Sequence, residues 1–293
     1  MGAPTGSLPA KCLAEALGTF ILLFFGLGAV HAAVLTGAQS GLWQVAIVWG
    51  IGVMLAVYVV GGISGAHINP AITVALATWG QFSWRLVAPY VAAQVAGAFT
   101  AAALLFVLYQ PFLEAREKDK GIVRGAPGSE ITAMCYGEYF PSPSLLTTPP
   151  QKPYSPVEHE RLNARVSELG ACLAEVVGTL LLALVVFALT DERNGAAPAA
   201  RLGPMFIGLA VAVLISVIAP LTQACFNPAR DFGPRLFAYF AGWGEVAIPG
   251  PRGGFLTVYI LAPTVGAVLG GAVYGGLRRS LAGPAEHALG EPP

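Results

Sequence analysis

The chain has 293 residues, 55% of them hydrophobic and only 11% charged, with 16 basic and 16 acidic side chains balancing to zero net charge. A soluble globular protein carries about 25% charge, so this composition excludes an ordinary soluble domain and points to lipid as the solvent. Zero net charge gives a nucleic-acid partner no electrostatic support, and Cys12, Cys135, Cys172 and Cys225 show neither metal-ligand spacing nor a disulfide framework.

The charges are unevenly placed. From Met1 to Leu113 the only Asp, Glu, Lys or Arg residues are Lys11, Glu15 and Arg85. A spanning helix needs about 20 largely apolar residues, and six stretches qualify: Leu8–Leu35, Trp43–Gly61, Trp84–Leu108, Glu168–Leu189, Pro204–Pro220 and Phe255–Leu277. The first continues past Phe24 without a small-residue cleavage site, so it reads as a retained span rather than a signal peptide. Two further segments, Gly62–Phe82 and Leu221–Phe240, are apolar but short and broken by Gly and Pro. Such segments in corresponding places point to broken helices that line a site. Residues 111–166, rich in Pro and mixed in charge, read as a long connecting loop. Met1–Pro9 and Ala282–Pro293 read as short disordered tails, the latter carrying His287 and Glu291 as solvated groups.

The two halves, residues 1–110 and 167–281, repeat. Ala14-Glu15 with Gly18-Thr19 returns as Ala174-Glu175 with Gly178-Thr179, an offset of 175 − 15 = 160, and Asn69-Pro70-Ala71 returns as Asn227-Pro228-Ala229, an offset of 227 − 69 = 158. Three spans per half is an odd number, so the second half enters the membrane inverted. The fold class expected is an all-α membrane protein of six spans and two re-entrant half-helices.

Irregular chain at membrane depth is tolerated only where it is buried in protein or lines a water-filled cavity. Gly61–Ile68 and Leu221–Phe226 are such chain, and each leads into Asn-Pro. Asn is a strong N-cap and Pro fits the first helical position, so a half-helix is predicted after Asn69 and another after Asn227. Two helix N-termini meeting place about +0.5 charge each near one point, a field that opposes cations. The Asn amides donate into the lumen, and the carbonyls of Gly65, Ala66, His67, Ala224, Cys225 and Phe226 offer acceptors. That ladder suits a neutral hydroxylated solute.

Glu15 and Glu175 lie within spans, where an ionisable group costs about 3 kcal/mol on insertion scales. They form either a proton relay or, as their symmetric placement favours, a pair of structural carboxylates holding the re-entrant segments open. The His67 ring is expected to pack or cap, and His31 to lie in the core or at the rim. Arg230 follows the second Asn-Pro-Ala, where an arginine gives a narrow pore fixed donors and repels cations. Asp231 is read as support for the nearby loop or for Arg235. Cys225 is expected to be reachable by small mercurials from the outer mouth.

SGAHINPAITVAL from Ser64, FNPARDFGPRLF from Phe226 and AExxGT in both halves resemble the major intrinsic proteins, specifically the aquaporin branch that passes glycerol. The resemblance implies the aquaporin-like fold, a homotetramer with one pore per subunit, passive transport, no cofactor and no enzymatic activity. It also implies a selectivity filter at Trp49, Ile215, Ala224 and Arg230. Bacterial glycerol facilitators have a glycine and an aromatic where this chain has Ile215 and Ala224, and the set looks more like that of the plant nodulin-26-like proteins. Gln223 stands where glycine is commoner, and Thr264 departs from the usual large aliphatic.

The expected permeants are glycerol and related small neutral solutes, with water. The alternatives are a channel mainly for urea, metalloid hydroxides or water, and an ion-coupled secondary transporter, which shares the inverted-repeat signature. Six spans put both termini on one face. Lys11, Arg85, Arg193, Arg201, Arg278 and Arg279 in short segments there suggest that this face is cytoplasmic, and the membrane expected is the plasma (inner) membrane.

Overall fold

The computed structural model describes residues 6–39, 41–146 and 153–281. The tail at 282–293, with His287 and Glu291, lies outside the described residues. Lipid offers the backbone no hydrogen-bond partner, so a spanning segment must satisfy its own groups as a helix. Among the described residues, six helices are long and apolar enough to cross a bilayer: α1 (Leu8–His31, extended by a π turn to Thr36), α2 (Leu42–Ser64), α4 (Trp84–Lys120), α7 (Glu168–Thr190), α8 (Gly203–Thr222) and α10 (Ala262–Leu281, preceded by a π turn at Thr257–Leu261). The short helices α3 (Pro70–Thr78) and α9 (Pro228–Ala238) follow the two re-entrant segments, and no strand occurs among the described residues.

Within each half, α1 packs on α2 and α4, and α7 packs on α8 and α10. The halves join where α2 meets α8, and they exchange their half-helices: α3 packs on α10, and α9 on α4. In lipid, apolar side chains gain little by leaving one greasy phase for another, so close backbone approach through small residues carries association. Gly50 and Gly208 are that contact at the seam. A Cβ on Gly50 would lie 2.4 Å from the Gly208 carbonyl oxygen, and one on Gly208 would lie 2.3 Å from that of Gly50. Large apolar side chains such as Leu13, Val107, Leu169 and Val217 are exposed on the outside, facing where lipid would lie.

Three expectations of extent change. α2 runs to Ser64 and α8 to Thr222, beyond the predicted ends at Gly61 and Pro220. Pro220 ends no helix: it forfeits only its own bond to the Ser216 carbonyl, and the ladder resumes beyond it, with the Gln223 amide donating to the Ala219 carbonyl at 2.9 Å. α4 continues past Leu108 and past Pro111 to Lys120, ending at Gly121 in the left-handed conformation. Its added turns carry Glu117, which pairs with Arg124 at 3.0 Å.

The connecting segment is also more ordered than a Pro-rich loop suggests. It contains α5 (Glu130–Ala133) and α6 (Pro156–Asn163), and Ser129–Pro143 is buried throughout. This stretch folds down onto the face away from the termini and reaches the second half-helix.

Candidate functional site

Asn69 and Asn227 have extended backbones, and their side chains cap the helices that follow. Asn69 Oδ1 accepts from the amides of Ala71 at 2.9 Å and Ile72 at 3.4 Å, and Asn227 Oδ1 from those of Ala229 at 3.0 Å and Arg230 at 3.3 Å. With each oxygen held by its own helix, each amide nitrogen is turned outward. Asn69 Nδ2 donates to the Phe226 carbonyl at 2.8 Å, and Asn227 Nδ2 donates to the Ile68 carbonyl at 2.9 Å. The two helix N-termini are thereby tied together, and one N–H of each amide remains. This corrects one expectation: the Phe226 carbonyl is engaged by Asn69 rather than left free for a solute.

The re-entrant segments are held by the two buried glutamates. Glu15 Oε1 accepts from the His67 amide at 2.9 Å and the Ser64 hydroxyl at 2.6 Å, while Oε2 accepts from the Ile68 amide at 2.7 Å and Gln94 Nε2 at 2.8 Å. Glu175 repeats the pattern with the Cys225 amide at 2.9 Å, the Thr222 hydroxyl at 2.5 Å and the Phe226 amide at 2.8 Å. Hydrogen bonds to a charged group are worth more than neutral ones, and these act on strained backbone. Ala66, Ile68, Ala224 and Phe226 all have φ between 43° and 63°, where a residue with a Cβ costs roughly 1–3 kcal/mol. With the amides drawn back to the carboxylates, the carbonyls of Gly65, Ala66, His67, Ala224 and Cys225 accept no protein hydrogen bond among the described residues.

These segments line an empty space of about 910 Å³, counting its open mouths. The spans contribute an aliphatic wall, with Leu22, Val53, Val57, Leu182, Val186, Ile207 and Val211. The re-entrant segments contribute Gly65–Asn69 and Ala224–Asn227. Trp49, Ile215, Ala224 and Arg230 line the same space. The Arg230 guanidinium carbon lies 4.5 Å from the centre of the Trp49 ring, a cation–π contact. The His67 ring packs against Phe82 and Tyr90, with Nδ1 3.2 Å from the Thr73 hydroxyl. His31 is buried in α1, its Nδ1 2.8 Å from the Leu27 carbonyl oxygen. The Cys225 side chain is buried in a cluster with Phe140, Val258 and Tyr259, its Sγ 3.2 Å from the Asn227 carbonyl oxygen, while the residue also lines the cavity. At 4% exposure the residue is buried, which weighs against the easy mercurial access expected from the sequence.

The second motif and Gln223 bind a segment, 134–139, that carried no motif in the sequence. Asp231 Oδ1 accepts the Glu138 amide at 2.8 Å, and Asp231 is paired with Arg235 at 2.7 Å. Arg235 also donates to the carbonyls of Ala247, at 2.7 Å, and Glu138. Gln223, at φ +64°, accepts the Tyr139 amide at 2.9 Å and donates to the Met134 carbonyl at 3.3 Å. Arg230 Nη1 donates to the Tyr136 carbonyl at 3.0 Å, and its Nε lies 2.7 Å from Glu138 Oε1. Residues 134–139 are therefore clasped onto the second half-helix. Burial pushes the Glu138 carboxyl well above the usual carboxylate range, to about 8, against the opposing pull of Arg230. Ser64 and Thr222 could have been found, since each stands five residues before its Asn; Glu138 has no counterpart in the other half and could not.

The major intrinsic protein family model matches residues 5–274. The glycerol uptake facilitator protein of Pseudomonas aeruginosa is 44% identical over 273 residues, 93% of this chain and 90% of that protein. The propanediol uptake facilitator of Citrobacter freundii is 44% identical over 269 residues, covering 92% and 91%. Among solved structures, the aquaglyceroporin from Plasmodium falciparum superposes with a TM-score of 0.77 at 24% identity, over 94% of this chain and 98% of that one, which speaks for the fold. With a matching family model over nearly its whole length and relatives of this identity, the chain is a membrane channel that belongs to the major intrinsic protein family.

Proposed function

We propose that this chain is a passive channel for glycerol and closely related small uncharged diols and triols, passing water as well and excluding ions. The observation that carries the reading is the two-sided lining of the cavity. Free carbonyls and Asn amides from the re-entrant segments face aliphatic side chains from the spans. A glycerol molecule has the matching character: hydroxyls along one edge and a hydrocarbon backbone along the other. Its hydroxyls exchange water for carbonyls, Asn69, Asn227 and Arg230, while its CH groups lie against Trp49, Ile215 and the aliphatic wall. An ion meets no such exchange. A cation faces two helix N-termini and Arg230, and an ion of either sign loses hydration that an aliphatic wall cannot replace.

In this reading Trp49, Ile215, Ala224 and Arg230 form the filter, the two Asn-Pro-Ala motifs mark the midpoint, and Glu15, Glu175 and Asp231 hold the walls. The names of the two bacterial relatives, a glycerol and a propanediol uptake facilitator, support this solute class. Subunits assemble as homotetramers in the plasma membrane, with the termini and the short basic segments in the cytoplasm. An ion-coupled mechanism needs an intramembrane carboxylate free to take up the coupling ion. Glu15 and Glu175 already accept at both oxygens. Proteoliposome reswelling with solutes of rising length tests the reading. Glycerol and propanediol are expected to enter readily and five-carbon polyols slowly, and Trp49→Ala is expected to narrow that difference. A Trp49→Ala channel with unchanged relative fluxes would remove Trp49 from the filter.

A further inference from the structure

Glu138 is a buried carboxylate with no place in a simple tube. It lies on the connecting segment, 1% exposed, and does not line the pore. Its one charged contact is Arg230 Nε at 2.7 Å, and neither oxygen accepts a well-directed bond from the guanidinium. A carboxylate taken out of water is costly unless paired and hydrogen-bonded. Paired with Arg230 and offered, besides it, only the Cys225 thiol, a weak donor, the carboxyl is poised between its charged and neutral forms.

The backbone around it is fixed independently. The Glu138 amide is held by Asp231 and its carbonyl by Arg235, so the side chain can change its charge without releasing the clasp. On the side away from Arg230, Glu138 lines a second cavity, lined also by Tyr259, Arg235, His159, Glu130 and Arg252. The Tyr259 hydroxyl in it is buried without a partner. This space of about 400 Å³, counting its opening, is lined by prolines and phenylalanines as well as these polar groups, and it reaches Glu138 on a side that shares no lining residue with the pore.

We propose that Glu138 is a positioning residue of the filter: ionised, it neutralises Arg230 and draws the guanidinium back from the lumen, and protonated, it releases Arg230 toward the solute path and slows permeation. Arg230 would then rest on the Tyr136 carbonyl and the Trp49 face alone. The groups facing the carboxyl are few. α9 presents Arg230 and Asp231, α7 presents Glu175, the second re-entrant segment presents the Cys225 thiol, and the π turn before α10 presents Tyr259. Arg235 is saturated by Asp231 and two carbonyls. Burial, the leading effect, and the two neighbouring carboxyls all favour the protonated form, and Arg230 and the Cys225 thiol oppose them. Titration is therefore expected near neutral pH rather than in the usual acidic range.

The proposal rests on the channel reading and is separable from it. Glycerol influx into proteoliposomes is measured from mildly acidic to mildly alkaline pH, the same buffer on both sides, with protein-free liposomes subtracted. Wild-type flux is expected to be several-fold higher at the alkaline end. Glu138→Gln is expected to lose the pH profile and stay at the acidic level throughout. Should Glu138→Gln fail to fold, Glu138→Asp, which keeps the charge but is one methylene shorter, is expected to titrate at a shifted midpoint. A flat wild-type profile, a Glu138→Gln profile like the wild type, or a Glu138→Asp profile superposable on it would overturn the proposal. Absence of glycerol flux at every pH would instead count against the channel.

Discussion

Gly26 of α1 lies flat against the Trp49 ring of α2: a Cβ on residue 26 would sit 2.2 Å from the nearest ring carbon. No other side chain fits there, so the glycine decides how far the indole stands from the lumen and from Arg230. Overfilling a packed interior costs roughly 1–3 kcal/mol, and the easiest relief is to push the ring into the pore. Gly26→Ala is expected to lower glycerol flux per folded channel several-fold. Flux unchanged from wild type would mean that the ring has room to move elsewhere.

The two buried glutamates should behave as equivalents. Glu15→Gln or Glu175→Gln replaces one accepting oxygen with an NH₂ group that confronts a backbone N–H. Each hydrogen bond to a charged group contributes about 1.5–3 kcal/mol, and each glutamate also holds residues in left-handed conformations. Both variants are expected to melt at lower temperature and to show reduced flux. A variant of wild-type thermal stability, altered only in its response to a proton gradient, would restore the proton-relay reading.

Gln223 sets two effects of similar size against each other. Its left-handed backbone costs roughly 1–2 kcal/mol, which glycine would relieve. Its two bonds to the connecting segment, to the Tyr139 amide and the Met134 carbonyl, contribute about 0.5–1.5 kcal/mol each. Gln223→Gly is thus expected to leave global stability nearly unchanged while speeding amide hydrogen exchange at 134–140. Unaltered exchange there would show that the other contacts of the clasp suffice without Gln223.

The Cys225 thiol, packed with Phe140, Val258 and Tyr259, is expected to react with small mercurials far more slowly than an exposed thiol. Mass spectrometry of the labelled protein reads this directly. Rapid stoichiometric labelling of Cys225 would place the sulfur in the lumen.

Much of this architecture is legible in the sequence because lipid and symmetry each leave a strong trace. Apolar runs set the spans, since an exposed backbone has no partner in hydrocarbon. The repeats at Glu15/Glu175 and Asn69/Asn227 mark the two half-helices and their supports. The termination of α4 was less legible, because Pro111 and the charges after it look like a loop start, yet the helix continues above the apolar span. Glu138 and Tyr136, and the contacts of Gln223, were hidden for a different reason. Their roles arise where one unrepeated segment folds onto one half, so neither periodicity nor internal symmetry singles them out.

Stopped-flow glycerol influx into proteoliposomes without any ion gradient tests most directly whether the lumen carries small polyols passively. Fast influx is expected, rising in proportion to glycerol concentration and indifferent to an uncoupler. Influx that saturates at low glycerol concentration and collapses with the uncoupler, or no influx through well-folded protein, would contradict it.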